Sequence, residues 1–305
     1  MYEDAQEIFD YLPIRRNEAE NEYLNQLRDT FELLEKSGRL WEKDSNGFAV
    51  TDTKLISARA FALLPFHLLF MMALQFMVLR IADIHKDATN LFFSSDGGRY
   101  KDKLISEKRA VFDLSVIKER TLPEIFQLVG LSENIIKEIK SLIDKRNNNL
   151  AHANGNSTSI DVENSVNDYL DLMGTIQKSF LQINQKLVDE WLFEIKEGDD
   201  LGEYIESHLL DSRLSPRDFG DVVGTLLEAE QLDFDQWEQV VNKGLELAYD
   251  QTIFALHEIA KNETDDGRRY NAIRVLHENG EIDEEMIKSI IENEKDEAIL
   301  ELLKN

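Results

Sequence analysis

The chain contains no cysteine among its 305 residues. Disulfide bonds, thiolate metal ligands and cysteine nucleophiles are therefore excluded. It has only four prolines and 14 glycines, so few positions interrupt a helix or demand a tight turn. The opening residues, MYEDAQEIFDYL, lack the basic start and apolar centre of a signal peptide. We therefore expect a cytoplasmic protein.

The amino-acid composition favours helices. Hydrophobic residues make up 42% of it and charged residues 31%, a balance that favours apolar cores with charged helical faces. We predict an all-α fold. It includes a single long helix over about residues 161–192, a helix that begins at Pro216, and a capping box formed by Asp233 and Gln236. The length favours two domains, an N-terminal helical domain over residues 1–195 and a smaller acidic helical domain over residues 196–305.

One long apolar run covers residues 60–79. Its 20 residues match the length of a membrane span, but the run includes Pro65, His67 and Gln75. A central helix surrounded by other helices is also apolar on all sides. We predict a buried helix without a membrane partner, and we interpret His67 as a hydrogen-bonded core histidine.

The formal charge of −26 is concentrated in the second half of the chain. Residues 1–155 carry 21 Lys and Arg against 24 Asp and Glu, a net of −3, and residues 156–305 carry 13 against 36, a net of −23. Phosphate contacts require cations. Any nucleic-acid contact is therefore predicted for the first half, and the acidic half is predicted to keep the protein soluble or to bind a regulatory protein.

The segment Asp144–Gly155 has the residues with the clearest chemical potential. Isoleucines and a leucine at helical spacing predict an amphipathic helix that begins near Ser132. At 100° per residue, Arg146 lies about 20° from the centre of the apolar face of that helix. A guanidinium there needs a partner or a groove. Asn147 follows it directly, and His152 stands after five intervening residues.

This Arg146–His152 spacing resembles the Arg-x(4–6)-His motif of the HEPN superfamily, which consists of small helical domains. The resemblance spans roughly residues 1–195. It implies a metal-independent endoribonuclease that acts as a homodimer on RNA, in a toxin–antitoxin or antiviral-defence system. It also implies that Arg146 and His152 are catalytic and that Asn147 contacts the substrate, with no metal and no cofactor.

The chemistry of RNA cleavage suits this pair of residues. RNA carries its own nucleophile, the 2′-OH, so the enzyme has to supply a proton acceptor and a proton donor. A histidine of ordinary pKa can serve as either. A guanidinium can stabilise the charge that develops on the phosphate. The six histidines of the chain show no metal-binding spacing.

Two geometric questions remain open in the sequence. On one continuous helix His152 would point about 140° away from the apolar face, so either the helix ends in the run of asparagines or each Arg146 serves a partner chain's His152. The pair Arg80 and His85 also fits the spacing. Because that pair ends an apolar helix, we interpret it as the solvated end of the helix.

The C-terminal region shows a second, weaker pattern. The spacing of Arg269, Ala272, Ile273, Leu276 and Gly280 resembles a HEAT-type helical repeat, and residues 283–303 resemble a further, degenerate unit. Two other functions therefore stay open. One is a non-catalytic HEPN-like module joined to a helical-repeat adaptor. The other is an acidic inhibitor of a basic partner.

Overall fold

The structure is a computed structural model that describes most of the chain. The described residues are 7–40, 61–85, 87–89, 91, 111–146, 162–196, 198–205, 213–262, 266–282 and 299. All regular elements in these ranges are helices, which confirms the all-α prediction. The HEPN-like and HEAT-like arrangements remain predictions.

The chain forms two compact units. Unit 1 comprises residues 1–181 together with the short segment Ser212–Ser215, and unit 2 comprises 182–211 and 216–305. The division after residue 181 lies one helix earlier than the domain boundary that the sequence suggests at residue 195.

Unit 1 is built around one apolar helix. Its α-helices are α1 (Glu18–Leu40), α2 (Leu63–Ile84), α3 (Glu133–Arg146) and α4 (Val162–Lys178), with short 3-10 helices at Ile8–Tyr11, Val111–Val116 and Leu122–Val129. Helix α2 contacts α1, α4 and all three 3-10 helices. Of its 22 residues, 17 are buried, because neighbours cover it on every side.

Helix α2 contains most of the apolar run whose length matches a membrane span. It is the one helix in the described ranges with the length and composition to cross a membrane, and 83% of its most apolar window is buried inside the structure. Such burial is typical of the core helix of a soluble protein.

Helix α3 confirms the predicted amphipathic helix. Four apolar side chains at helical spacing are buried on one face: Ile136, Ile139, Leu142 and Ile143. The helix packs against the 3-10 helix Leu122–Val129 and against α4. Arg146 is the last residue of α3, so its side chain lies at the end of this helix.

The segment Ser212–Ser215 belongs to unit 1, although it lies beyond residue 181. The Ile14 N–H donates a hydrogen bond to the Leu214 carbonyl at 2.8 Å, and the Arg213 guanidinium donates to Asp83 at 3.2 Å. Arg213 has a φ of 57°, a left-handed conformation that is uncommon outside glycine. These contacts hold the segment against the rest of unit 1.

Unit 2 is a set of shorter helices: α5 (Leu181–Glu194), α6 (Leu201–Tyr204), α7 (Pro216–Glu228), α8 (Phe234–Leu247), α9 (Tyr249–Asn262) and α10 (Asp266–Glu278). Helices α7, α8 and α9 pack against one another, and α10 packs against α9. Pro216 begins α7, and Asp233 and Gln236 form the predicted capping box of α8. Of the predicted further repeat unit, residues 283–303, all but residue 299 lie outside the described residues.

One predicted element is wrong. The sequence favours a single helix over residues 161–192, but the structure has α4 and α5 with a break at Ser179 and Phe180. Their N–H groups donate to the carbonyls three residues earlier, at Ile176 and Gln177. Phe180 is fully buried, and its burial stabilises the break.

Candidate functional site

Arg146 lies at the end of α3 in a restrained position. Its side chain is only 13% exposed. Its Nη2 donates hydrogen bonds to both carboxylate oxygens of Glu119, at 2.6 and 2.7 Å. Arg146 lies on the apolar face of α3 and therefore requires a partner. That partner is the carboxylate of Glu119, in the segment before the third 3-10 helix. Asn147 and His152 lie outside the described residues.

His67 lies in the interior of α2, as the sequence predicts for a core histidine, and its side chain is fully buried. Its Nδ1 is 2.9 Å from the hydroxyl of Tyr169 on α4. The other ring nitrogen, Nε2, is buried and has no hydrogen-bond partner among the described residues. The sequence predicts a hydrogen-bonded core histidine. Among the described residues, His67 has a hydrogen-bond partner at Nδ1 but none at Nε2.

Arg146 acts electrostatically on this histidine–tyrosine pair. Burial, with the charge of Arg146 as the second cause, lowers the pKa of His67 to about 3. Burial also raises the pKa of Tyr169 above its ordinary value, while the Arg146 charge opposes that rise and Asp168 and Glu119 add to it. His67 and Tyr169 are therefore both neutral at physiological pH.

These four residues form what we call the Arg146 cluster: Arg146, Glu119, His67 and Tyr169. Like His67, Arg146 has a buried nitrogen, Nε, that lacks a hydrogen-bond partner among the described residues. Unpaired buried polar atoms cost free energy. Two of them in one cluster make it a candidate site, because an unpaired buried polar group requires an explanation such as a catalytic role, a bound ion or a bound water.

The second Arg–His pair occupies a different kind of environment. Arg80 is 3% exposed, and its guanidinium lies over the ring of Phe180 at 5.2 Å from the ring centre. The prediction that Arg80 marks a solvated helix end is wrong. The apolar neighbours of α2 extend past Arg80, and the aromatic face stabilises the buried cation.

The sequence indicated only part of this cluster. Arg146 is identified by its motif, but Glu119 lies 27 residues away and Tyr169 lies 102 residues from His67. Neither spacing belongs to a helical repeat. The one local indication for His67 is an imidazole inside an otherwise apolar run, a pattern that more often marks a core residue.

Comparison of the chain with protein-family models, with curated proteins and with solved structures finds no match in any of the three. Within the described ranges, no group of three or more histidine or carboxylate side chains is placed to hold a metal ion. Functional inference therefore depends on the Arg146 cluster and on the motif that contains Arg146.

Proposed function

We propose that this protein is a metal-independent endoribonuclease of the HEPN type. The observation that carries the proposal is the position of Arg146. A cation that ends an amphipathic helix, is 13% exposed and is fixed by a carboxylate is held ready in one orientation. Fixed donors stabilise developing charge better than mobile ones, because they need no reorganisation during the reaction.

In the proposed reaction the 2′-OH of RNA attacks the adjacent phosphate and expels the 5′-oxygen. Nη2 of Arg146 donates hydrogen bonds to Glu119, and a guanidinium has further N–H groups that can bind phosphate oxygens. His152 serves as general acid or base, and Asn147 contacts the substrate. We further propose that the protein acts as a homodimer and serves as a toxin or an antiviral-defence effector.

The first test is RNA cleavage in EDTA. We expect the full chain to cut total tRNA or mRNA and to leave 2′,3′-cyclic phosphate ends. His152→Ala and Arg146→Ala should each lower the rate at least about 100-fold, the usual cost of removing an acid–base group or a charge-stabilising donor. Lys145→Ala is the matched control, since Lys145 is the exposed neighbour of Arg146 on the same helix. It should retain activity.

A second candidate function is favoured by the same ion pair. An arginine whose Nη2 donates to both carboxylate oxygens of Glu119 is also what a purely structural helix anchor requires. In that case the chain is a non-catalytic binding module or adaptor, or an acidic inhibitor through its second half. Wild-type protein that is folded yet leaves RNA intact in EDTA, or that cuts only with added Mg²⁺, would remove the ribonuclease proposal and favour these functions.

A further inference from the structure

A charged turn lies beside the end of α3. Ile117 and Leu122 are both buried, and the turn between them closes with a hydrogen bond from the Thr121 N–H to the Lys118 carbonyl at 2.8 Å. The buried ends hold the turn at the surface, where Lys118 and Arg120 are exposed. These two cations are therefore displayed to solvent on a fixed piece of backbone.

Two ion pairs join this turn to the last turn of α3. Glu119, which stands between Lys118 and Arg120 in the sequence, accepts both hydrogen bonds from Arg146. Arg120 Nη2 lies 3.3 Å from Asp144 Oδ2. Both contacts are within unit 1, and they place the exposed cations of the turn next to Arg146.

Both cations are open to an external anion. The side chain of Arg120 is 63% exposed and that of Asp144 is 38% exposed. Ion pairs at such exposure are weak, so a phosphate can replace the carboxylate as the partner of Arg120. Lys118 has no ion-pair partner among the described residues. Ion pairing within the fold therefore accounts for Arg120 in part and for Lys118 not at all.

We propose that Lys118 and Arg120 bind RNA phosphates that flank the scissile phosphate, and that they position the scissile phosphate at Arg146. This inference rests on the proposed ribonuclease function and deepens it, because it names residues that hold the substrate without taking part in bond cleavage. Exposed cations bind the RNA backbone without regard to sequence. In a chain of net charge −26, local cations are what a polyanion requires for its approach.

The first test separates substrate binding from catalysis in the full-length protein. Lys118→Ala/Arg120→Ala should raise KM about tenfold and keep kcat within about twofold of wild type, because these contacts are equal in the ground state and the transition state. Lys137→Ala/Lys186→Ala is the matched control. Both lysines are exposed and pair with a glutamate four residues away, so the control removes the same charge elsewhere. It should leave KM unchanged.

A second substitution should act in the opposite direction. Asp144→Asn removes the carboxylate that competes with phosphate for Arg120, and we expect it to lower KM about threefold. A purely structural role of this ion pair would give no such gain. Asp29→Asn is the control for the loss of one negative charge, since Asp29 forms a similar ion pair with Arg28 at 3.2 Å on α1.

A binding experiment separates this surface from the cleavage reaction. A single-stranded 2′-O-methyl RNA has no free 2′-OH to attack the phosphate, so fluorescence anisotropy measures its affinity without cleavage. Lys118→Ala/Arg120→Ala should weaken binding about tenfold and lower the salt slope by about 1.4, at about 0.7 for each phosphate contact. Lys118→Arg/Arg120→Lys keeps both charges and should bind as the wild type does.

The outcomes are distinguishable. If the protein cuts no RNA, yet Lys118→Ala/Arg120→Ala loses affinity for the 2′-O-methyl RNA and the lysine control does not, the ribonuclease proposal fails and the RNA-binding surface stands. If the protein cuts RNA and this double variant matches the lysine control in KM, the surface is overturned and the ribonuclease stands.

Two other results would also overturn the surface. One is a wild-type protein that does not bind the 2′-O-methyl RNA at about 50 mM salt, where phosphate contacts are strong. The other is an increase of KM, or a weaker affinity for this RNA, in Asp144→Asn. If Lys118→Ala/Arg120→Ala does not fold, the comparison of Asp144→Asn with Asp29→Asn decides.

Discussion

At the scale of single residues, the burial of His67 has a consequence for stability. The imidazole lies among Tyr169, Phe70 and the charge of Arg146, and its pKa falls to about 3. An unfolded chain restores a pKa near 6.5. Between these values the unfolded state binds more protons than the folded state, so folding becomes less favourable as the pH falls.

We predict that His67 makes the protein acid-sensitive. Its contribution is complete above pH 6.5 and is lost as the pH falls toward 3, at up to about 1.4 kcal/mol for each pH unit. Urea unfolding at pH 7.0, 6.0 and 5.0 measures this slope. His67→Gln should flatten it, while His257→Gln should not. Parallel slopes for wild type and His67→Gln would show that the imidazole is not neutral and buried.

Residue-scale prediction from sequence succeeds where the relevant contact is periodic. The 100° spacing places Arg146 on the apolar face of α3, and its 13% exposure agrees. The same spacing predicts that Arg146 needs a partner, but it does not identify that partner. Glu119 is supplied by a turn outside any helix, and the Tyr169 contact needs the packing of α2 against α4. Such long-range pairings leave no local trace in the sequence.

At the scale of elements, two glycines on α7 offer a matched pair of substitutions. A Cβ at Gly220 would lie 2.2 Å from Cβ of Gln251 on α9, while a Cβ at Gly224 would lie 3.7 Å from Cβ of Ala255. The first is a steric conflict with an atom that cannot swing away, and the second is ordinary contact. Close packing of α7 on α9 therefore requires glycine at position 220 only.

We predict opposite effects of the two alanine substitutions. Gly220→Ala should lower the free energy of unfolding by about 1–3 kcal/mol, the usual cost of overpacking. Gly224→Ala should raise it by up to about 1 kcal/mol, because alanine favours the helix. Urea unfolding of the full chain followed by circular dichroism measures both. Equal effects would mean that α7 and α9 are not packed this closely.

Element boundaries were predictable where local chemistry sets them. Pro216 and the Asp233–Gln236 capping box mark helix starts by their own hydrogen-bonding needs, and both are confirmed. The break between α4 and α5 contains no glycine or proline. It depends on the buried Phe180, which lies under Arg80 and beside Phe126, and tertiary packing of this kind overrides local helical preference.

At the scale of the whole molecule, the charge of −26 sets how the proposed RNA binding should respond to salt. We expect the RNA dissociation constant to change less than about tenfold between 50 and 200 mM salt. A protein with 6–10 phosphate contacts loses about 10³–10⁵ in affinity over that range. Here salt also screens the repulsion from the acidic half, and the two effects oppose each other.

Fluorescence anisotropy with labelled RNA and the His152→Ala chain measures this dependence without cleavage. Lys145→Ala in that background is the control for a single peripheral cation, which should alter the slope by about one unit at most. A steep loss of RNA affinity with increasing salt in the His152→Ala chain, which keeps every lysine and arginine, would contradict the expectation. It would mean that a basic surface binds RNA out of reach of the acidic half.

The segment Ser212–Ser215 has a consequence for the synthesis of the protein. Unit 1 includes this segment, so it is incomplete when Leu181 has been made and remains so until residue 215 has been made. At about 5–20 residues per second the delay is roughly 2–7 seconds. During that interval Ile14 lacks the Leu214 carbonyl and Asp83 lacks Arg213. A newly made chain therefore completes its first unit only after all of α5 and α6 has been translated.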